Sequence, residues 1–298
     1  MKKVLINTLL QKQYSNLEKK EEILRAELAG IREAKKQAMK ALIVTLYQEC
    51  TTKFGNIDYR QMYKPLPKNH SVVLKHRVEQ ASRLVNINDY PFTALSFDGL
   101  NRLDATQYEL AIVEAEHAHE IYELYHHFLL DHVLTVAEET TTSVLMQYEL
   151  KPKQIEKITT NKKYPVDKAI ANRCYETSRT LTRQLQDAIM RCTPVDKALP
   201  LLMGYVERKD KNSIDKIIYT ENTRVTNETV AEIIRPFAKA FRTVCVDDGK
   251  ACETCLDIED EQLHNPVPFE DFIAGATAPP FHPFCRCGYE IEWSDNND

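Results

Sequence analysis

The stretch QKQYSNLEKKEEILRAELAGIREAKKQAMKALIVTLYQE, residues 11–49, decides the fold class. It contains no proline and one glycine, Gly30, so nothing in it stops a helix once begun. Tyr14, Leu17, Leu24, Leu28, Ile31, Ala38 and Leu42 recur at steps of three and four, the spacing of one apolar helix face. Glu21 and Lys35 fall on the same seam. A helix of this length reaches about 60 Å at 1.5 Å per residue. The spacing predicts packing along a helix of the same chain, with an intermolecular coiled coil as the alternative.

Residues 47–99 read as a connector, broken by Lys64-Pro-Leu-Pro-Lys-Asn69 and Asn88-Asp-Tyr-Pro91, with one helix expected at Val73–Leu84. No proline occurs between Pro91 and Pro152, and Leu103–Thr140 carries apolar residues at helical intervals, which predicts one or two long helices. Further helices are expected at Asp167–Arg191, Val195–Glu207 and Asn212–Ile234. In the tail, strands are expected at Arg242–Val246 and Gly288–Trp293, the second alternating Tyr289, Ile291 and Trp293 with Glu290 and Glu292. The polar run at residues 151–165 is the expected boundary between an N-terminal helical region, residues 1–160, and a second part, residues 161–298. The fold class is therefore mainly α, an elongated helical region followed by a helical segment and a small α+β module at residues 245–293.

Composition narrows the function classes. Only 7 of 298 residues are glycine, and no Gly-rich loop stands between a strand and a helix, which removes the usual nucleotide-cradling motifs. Met1-Lys-Lys-Val-Leu-Ile6 is interrupted by Asn7 and Thr8 before it reaches signal-peptide length, so retention and cytosolic synthesis are expected. No membrane span is expected either, because no apolar run approaches 18 residues. Residues 245–298 hold thirteen Asp and Glu against two basic residues, a net of −11, which leaves +6 on the first 244 residues of a chain whose total is −5. A basic protein partner suits such a tail, and phosphate does not.

Five of the eight cysteines lie in this tail, four of them as Cys252-x-x-Cys255 and, after 26 intervening residues, His282-Pro-Phe-Cys285-Arg-Cys287. A Cys-x-x-Cys turn sets two thiolates on one edge of a tetrahedron and a distant pair closes the other edge, the pattern of a structural zinc site. Five donors compete for four positions: Cys252, Cys255, His282 and Cys285 are the favoured set, with Cys287 replacing either of the last two. A pair of buried or disulfide-capable thiols without metal is the alternative. Cys245 reads as a core residue rather than a ligand, and Cys50, Cys174 and Cys192 as small buried hydrophobes in helices.

A family resemblance rests on these residues. Val246-Asp-Asp-Gly-Lys-Ala-Cys252-Glu-Thr-Cys255-Leu-Asp257, followed by Ala278-Pro-Pro-Phe-His282-Pro-Phe-Cys285-Arg-Cys287, resembles the signature of phage minor head proteins of the Mu F-like, head-morphogenesis type. Tyr219-Thr-Glu221-Asn-Thr-Arg224-Val-Thr-Asn227 resembles the helical stretch that family carries before its cysteines. The resemblance covers about residues 165–293. It departs in its acidic linker, which lacks the glycine the family often carries soon after the second cysteine. It implies a virion component of the head interior or portal vertex, assembled in the host cytoplasm. Its partners would be the portal protein and a major capsid or scaffold protein, with a role in head assembly and in DNA packaging or ejection. Glu221, Arg224 and Asn227 are expected to buttress the cysteine module rather than react, with ordinary surface residues as the alternative.

Two other readings are weaker. A zinc hydrolase or deaminase needs an open metal position, and a deaminase needs a Glu two residues after its first ligand, where His282 is followed by Pro283 and Phe284. Glu116-x-x-His119 and Glu123-x-x-His126, within the run from Glu114 to His132, echo half of a di-iron bundle, but the partner helices' ligands are missing and an amphipathic helix is expected. Weak, non-specific DNA contact through Lys35, Lys36 and Lys40, or through Lys151, Lys153, Lys157, Lys162 and Lys163, is compatible with the basic half.

Overall fold

With no proline before Pro65, the first helix runs unbroken: α1 spans Lys2–Cys50 in the computed structural model of the chain. The structure describes residues 2–84, 97, 99–144, 166–235, 238–245, 251–285 and 287–293. The helices after α1 are α2 (Lys68–Leu84), α3 (Arg102–Val144), α4 (Val166–Met190), α5 (Val195–Lys209), α6 (Asp215–Ile234) and α7 (Glu253–His264). Among the described residues three short strands, β1 (Ala238–Val244), β2 (Val267–Pro268) and β3 (Gly288–Trp293), complete a mainly helical fold with a small C-terminal sheet. No helix among the described residues is long and apolar enough to cross a membrane.

The expected domain boundary falls within residues 145–165, outside the described residues. The chain forms two compact units, each assembled from separated segments rather than divided at one point. One comprises Met1–Leu24, Tyr125–Tyr164 and Lys216–Asp298, and the other Arg25–Leu124 and Pro165–Asp215.

In the second of these units, the buried stripe of α1 runs through Met39, Ile43, Leu46, Tyr47 and Cys50. It packs on Leu103, Leu110 and Val113 of α3, on Leu181, Leu185 and Ile189 of α4, and on Leu202, Met203 and Val206 of α5. Ala38 and Leu42, on the expected seam, are only partly buried. A 3.6-residue helix drifts away from a strict 3.5 repeat, so the buried face has moved by one position at this end. Asn101 opens α3 with a capping box: its side chain accepts from the Asp104 amide at 2.9 Å while the Asp104 carboxylate faces the Asn101 amide.

The charge intruding on the α1 seam is answered. Lys35 is 1% exposed and donates to Glu114 at 3.0 Å and to Asp210 at 2.6 Å. Asp210 begins a π-helical turn, Asp210–Ile214, which displaces the start of the next helix from the expected Asn212 to Asp215. Burial lowers the affinity of Lys35 for its proton, but the two carboxylates more than reverse this and hold it charged. Burial pushes the Glu114 carboxyl up to about 7 against the pull of Lys35. Lys35 is therefore no part of a DNA-facing run, because its ammonium is sealed in the interior. Lys36 pairs with Glu207 at 3.5 Å and Lys40 is exposed, while the basic run at residues 151–163 lies outside the described residues.

In the other unit, Glu21 likewise meets a partner, accepting from Asn222 of α6 at 2.9 Å. The sheet is antiparallel in the order β2-β1-β3, with Phe241 opposite Ile291 and Val244 opposite Gly288. Its inner face joins Val230, Ala231 and Ile234 of α6 to Phe241, Phe269, Phe272 and Tyr289, whose rings contact one another at centroid distances of 5.0–6.0 Å. The tail therefore owns a real apolar core beside its cysteines, more than its sequence promised.

Candidate metal centre

The Cys252-x-x-Cys255 pair does not sit in a simple turn. Cys252 is the N-cap of α7 and Cys255 lies in its first turn, its amide donating to the Cys252 carbonyl at 3.0 Å. The sequence reading missed this helix because its buried side chains are Cys255 and Gln262, not an apolar stripe. Gln262 accepts from the Thr243 amide at 2.7 Å and donates to the Thr277 carbonyl at 3.2 Å, so a polar residue performs the packing. The signal that was present is positional, an acidic first turn at Glu253 and His264 in the last turn.

The second donor group is carried by a tight turn. The Cys285 amide donates to the His282 carbonyl at 3.1 Å, and Phe284 between them has φ of 63°, a left-handed conformation a bulky residue adopts only under constraint. The constraint comes from α6. Thr220 accepts from the Phe284 amide at 3.1 Å, and the Tyr219 ring stacks on Phe284 at 6.0 Å. Buried Asn227 donates to the Pro279 carbonyl at 3.0 Å and accepts at its own carbonyl from the Tyr289 hydroxyl at 2.9 Å. Arg224 is held between Glu221 and Glu228 on its own helix. Of the three expected buttresses, Asn227 bonds into the cysteine segment.

The five expected donors converge. Cys252, Cys255 and His282 have donor atoms within 4.8 Å of one another, and so have Cys255, Cys285 and Cys287, with Cys255 common to both groups. His282 Nδ1 donates to the Pro283 carbonyl at 2.8 Å, and Nε2 faces Cys252 Sγ at 3.2 Å and Cys255 Sγ at 3.1 Å. Cys255 and Cys285 sulfurs are 3.9 Å apart. Two thiolates on one zinc, each at about 2.3 Å, stand about 3.8 Å apart along a tetrahedral edge, so this pair needs no movement to share an ion.

Against every known protein family, curated protein and solved structure compared, the chain finds no match. The donors themselves define what the site can do. These Cys/His groups can hold a metal ion, and thiolate with imidazole is the donor set of a soft or borderline cation rather than of calcium or magnesium. Without metal the thiols are strongly unequal. Hydrogen bonding from Cys287 draws Cys285 down to about 5 despite its burial, whereas burial, with Cys285 beside it, pushes Cys255 up to about 12. A cation resolves this by replacing the shared protons.

Cys245, read as a core residue rather than a ligand, is half-buried just past β1 against the cysteine cluster, joins neither metal-competent group, and has its sulfur 3.3 Å from that of Cys287. One expectation is corrected. Cys192, read as buried, is exposed in the turn after α4, with a left-handed φ of 53°. Cys50 and Cys174 are buried. In the Glu/His stretch of α3, Glu116, Glu120, Glu123, His126 and His127 are exposed, while Glu114 is engaged with Lys35 and His132 faces Thr226 at 2.8 Å. Among the described residues none of these joins a metal-competent group.

Proposed function

We propose that this chain is a structural phage minor head protein that acts in head morphogenesis, with a structural zinc ion fixing its C-terminal module. The carrying observation is that separated sequence stretches bearing the resemblance meet in space: the Tyr219–Asn227 stretch clamps the Pro-Pro-Phe-His-Pro-Phe-Cys loop through Thr220 and Asn227. Side chains whose work is to hold a cysteine loop in place suit an assembly module. Zinc is the ion of choice because its tetrahedral Cys/His coordination matches the donor types and the Cys255–Cys285 edge.

In this role the protein associates with the portal and with the inner capsid or scaffold, within the head interior or at the portal vertex. The −11 tail is the portion suited to a basic protein surface. Five donors for four positions favour a closed site, against a zinc hydrolase or deaminase, whose metal must keep a position for water. Co-expression with a candidate portal protein from the same genome tests the reading: the chain is expected to copurify with the portal ring through size exclusion. A chain that elutes alone, or one showing hydrolytic turnover that chelation abolishes and zinc restores, overturns it.

A further inference from the structure

The cluster holds more sulfur than one tetrahedral ion can use. Cys252, Cys255 and His282 form one converging group, and Cys285 extends it along the 3.9 Å edge from Cys255. That fills four positions. The fifth donor, Cys287, has a partner of its own in Cys245 at 3.3 Å. Their closeness follows from the sheet. β1 and β3 pair Thr243 with Tyr289 and Val244 with Gly288, so the next rung of the same antiparallel register sets Cys245 opposite Cys287. Directly opposed residues on antiparallel strands have Cβ atoms about 4.5–5.5 Å apart, close to the reach of a disulfide. Cys245 also belongs to neither metal-competent group, and it is the half-buried member of the pair, while Cys287 is 4% exposed.

We infer that Cys245 and Cys287 are a redox-active dithiol outside the metal's ligand set, which a low-molecular-weight disulfide oxidises to a cross-strand disulfide while the ion stays bound. This rests on the metal reading for the division of labour among the six donors. The chemistry is thiol–disulfide exchange with oxidised glutathione as oxidant. The more accessible Cys245 sulfur attacks one glutathione sulfur, the glutathione S–S bond breaks, and one reduced glutathione leaves with the Cys245 proton. Cys287 then attacks Cys245 of the mixed disulfide, expelling a second reduced glutathione that carries away the Cys287 proton. Two electrons pass from the protein to glutathione, one S–S bond is lost and one gained.

The sequence makes the test unambiguous. Trypsin cuts after Arg242, Lys250 and Arg286, which places Cys245 in residues 243–250, Cys287 in residues 287–298, and Cys252, Cys255 and Cys285 together in residues 251–286. Full-length protein purified under reductant is incubated with oxidised glutathione, desalted for metal analysis, then denatured, alkylated and mapped. The expected result is a fall from eight alkylated cysteines to six, a crosslink joining residues 243–250 to 287–298, and an unchanged metal content of one per chain. Cys245→Ser is expected to retain the metal and to form no internal crosslink. A crosslink involving residues 251–286, metal released in step with oxidation, or two metals per chain falling to one in Cys245→Ser each overturns the inference. Reduced protein that binds no metal, yet forms the 245–287 link, refutes the metal reading alone and leaves the dithiol standing.

Discussion

Single residues carry unequal weight, and Lys35 carries much. It is enclosed with Glu114 and Asp210, so Lys35→Met leaves two interior carboxylates without a counter-charge, and a loss of about 3–5 kcal/mol is expected in urea unfolding. Glu114 sets a pH dependence with a definite sign. Its folded value of about 7 lies above the ordinary 4.5, so the stability it contributes is complete below pH 4.5 and is lost as pH rises through 7. His132 works oppositely: burial, aided by Lys20, draws it down to about 4, so its contribution is complete above 6.5 and is lost as pH falls through 4. Urea midpoints measured from pH 5 to 8 should lose their alkaline decline in Glu114→Gln, and an unchanged slope would refute the assignment. Asn227→Ala removes the donor to the Pro279 carbonyl, and a cost of about 1–3 kcal/mol is expected. Cys255→Ser should lower metal content more than Cys252→Ser, because Cys255 alone belongs to both donor groups.

At the scale of elements, legibility followed the kind of side chain that does the packing. α1, α3 and α4 were readable because leucines and isoleucines recur at helical steps and no proline interrupts them, and β3 because its apolar residues alternate. α7 was not readable: a buried glutamine and cysteine give no periodic signal, and its role depends on backbone groups at Thr243 and Thr277, far off in sequence. The five donors were visible from spacing, whereas Cys245 was hidden because only strand register brings it to Cys287. The aromatic cluster under the sheet also separates two sources of order in the module. Chelation is therefore expected to speed amide exchange in the first turn of α7 and at residues 281–285, while Phe241 and Tyr289, beside that cluster, stay protected. Equal loss of protection across β1 and β3 would show that the ion supports the whole module.

For the whole molecule, the sequence suggested a cut near residue 160, which lies outside the described residues, and the chain groups into two units of interleaved segments. Pattern reading follows the chain and has no access to which distant segments meet, so this arrangement left no local trace. The interleaving imposes an order on biosynthesis. Residues 25–215 contain every segment of one unit, which can therefore close while the rest is still being translated, whereas the unit that holds residues 1–24 and 125–164 is completed only when the last stretch, 216–298, has left the ribosome. A nascent chain from which residues 1–215 have emerged would thus present one finished unit and a second still lacking its final segment.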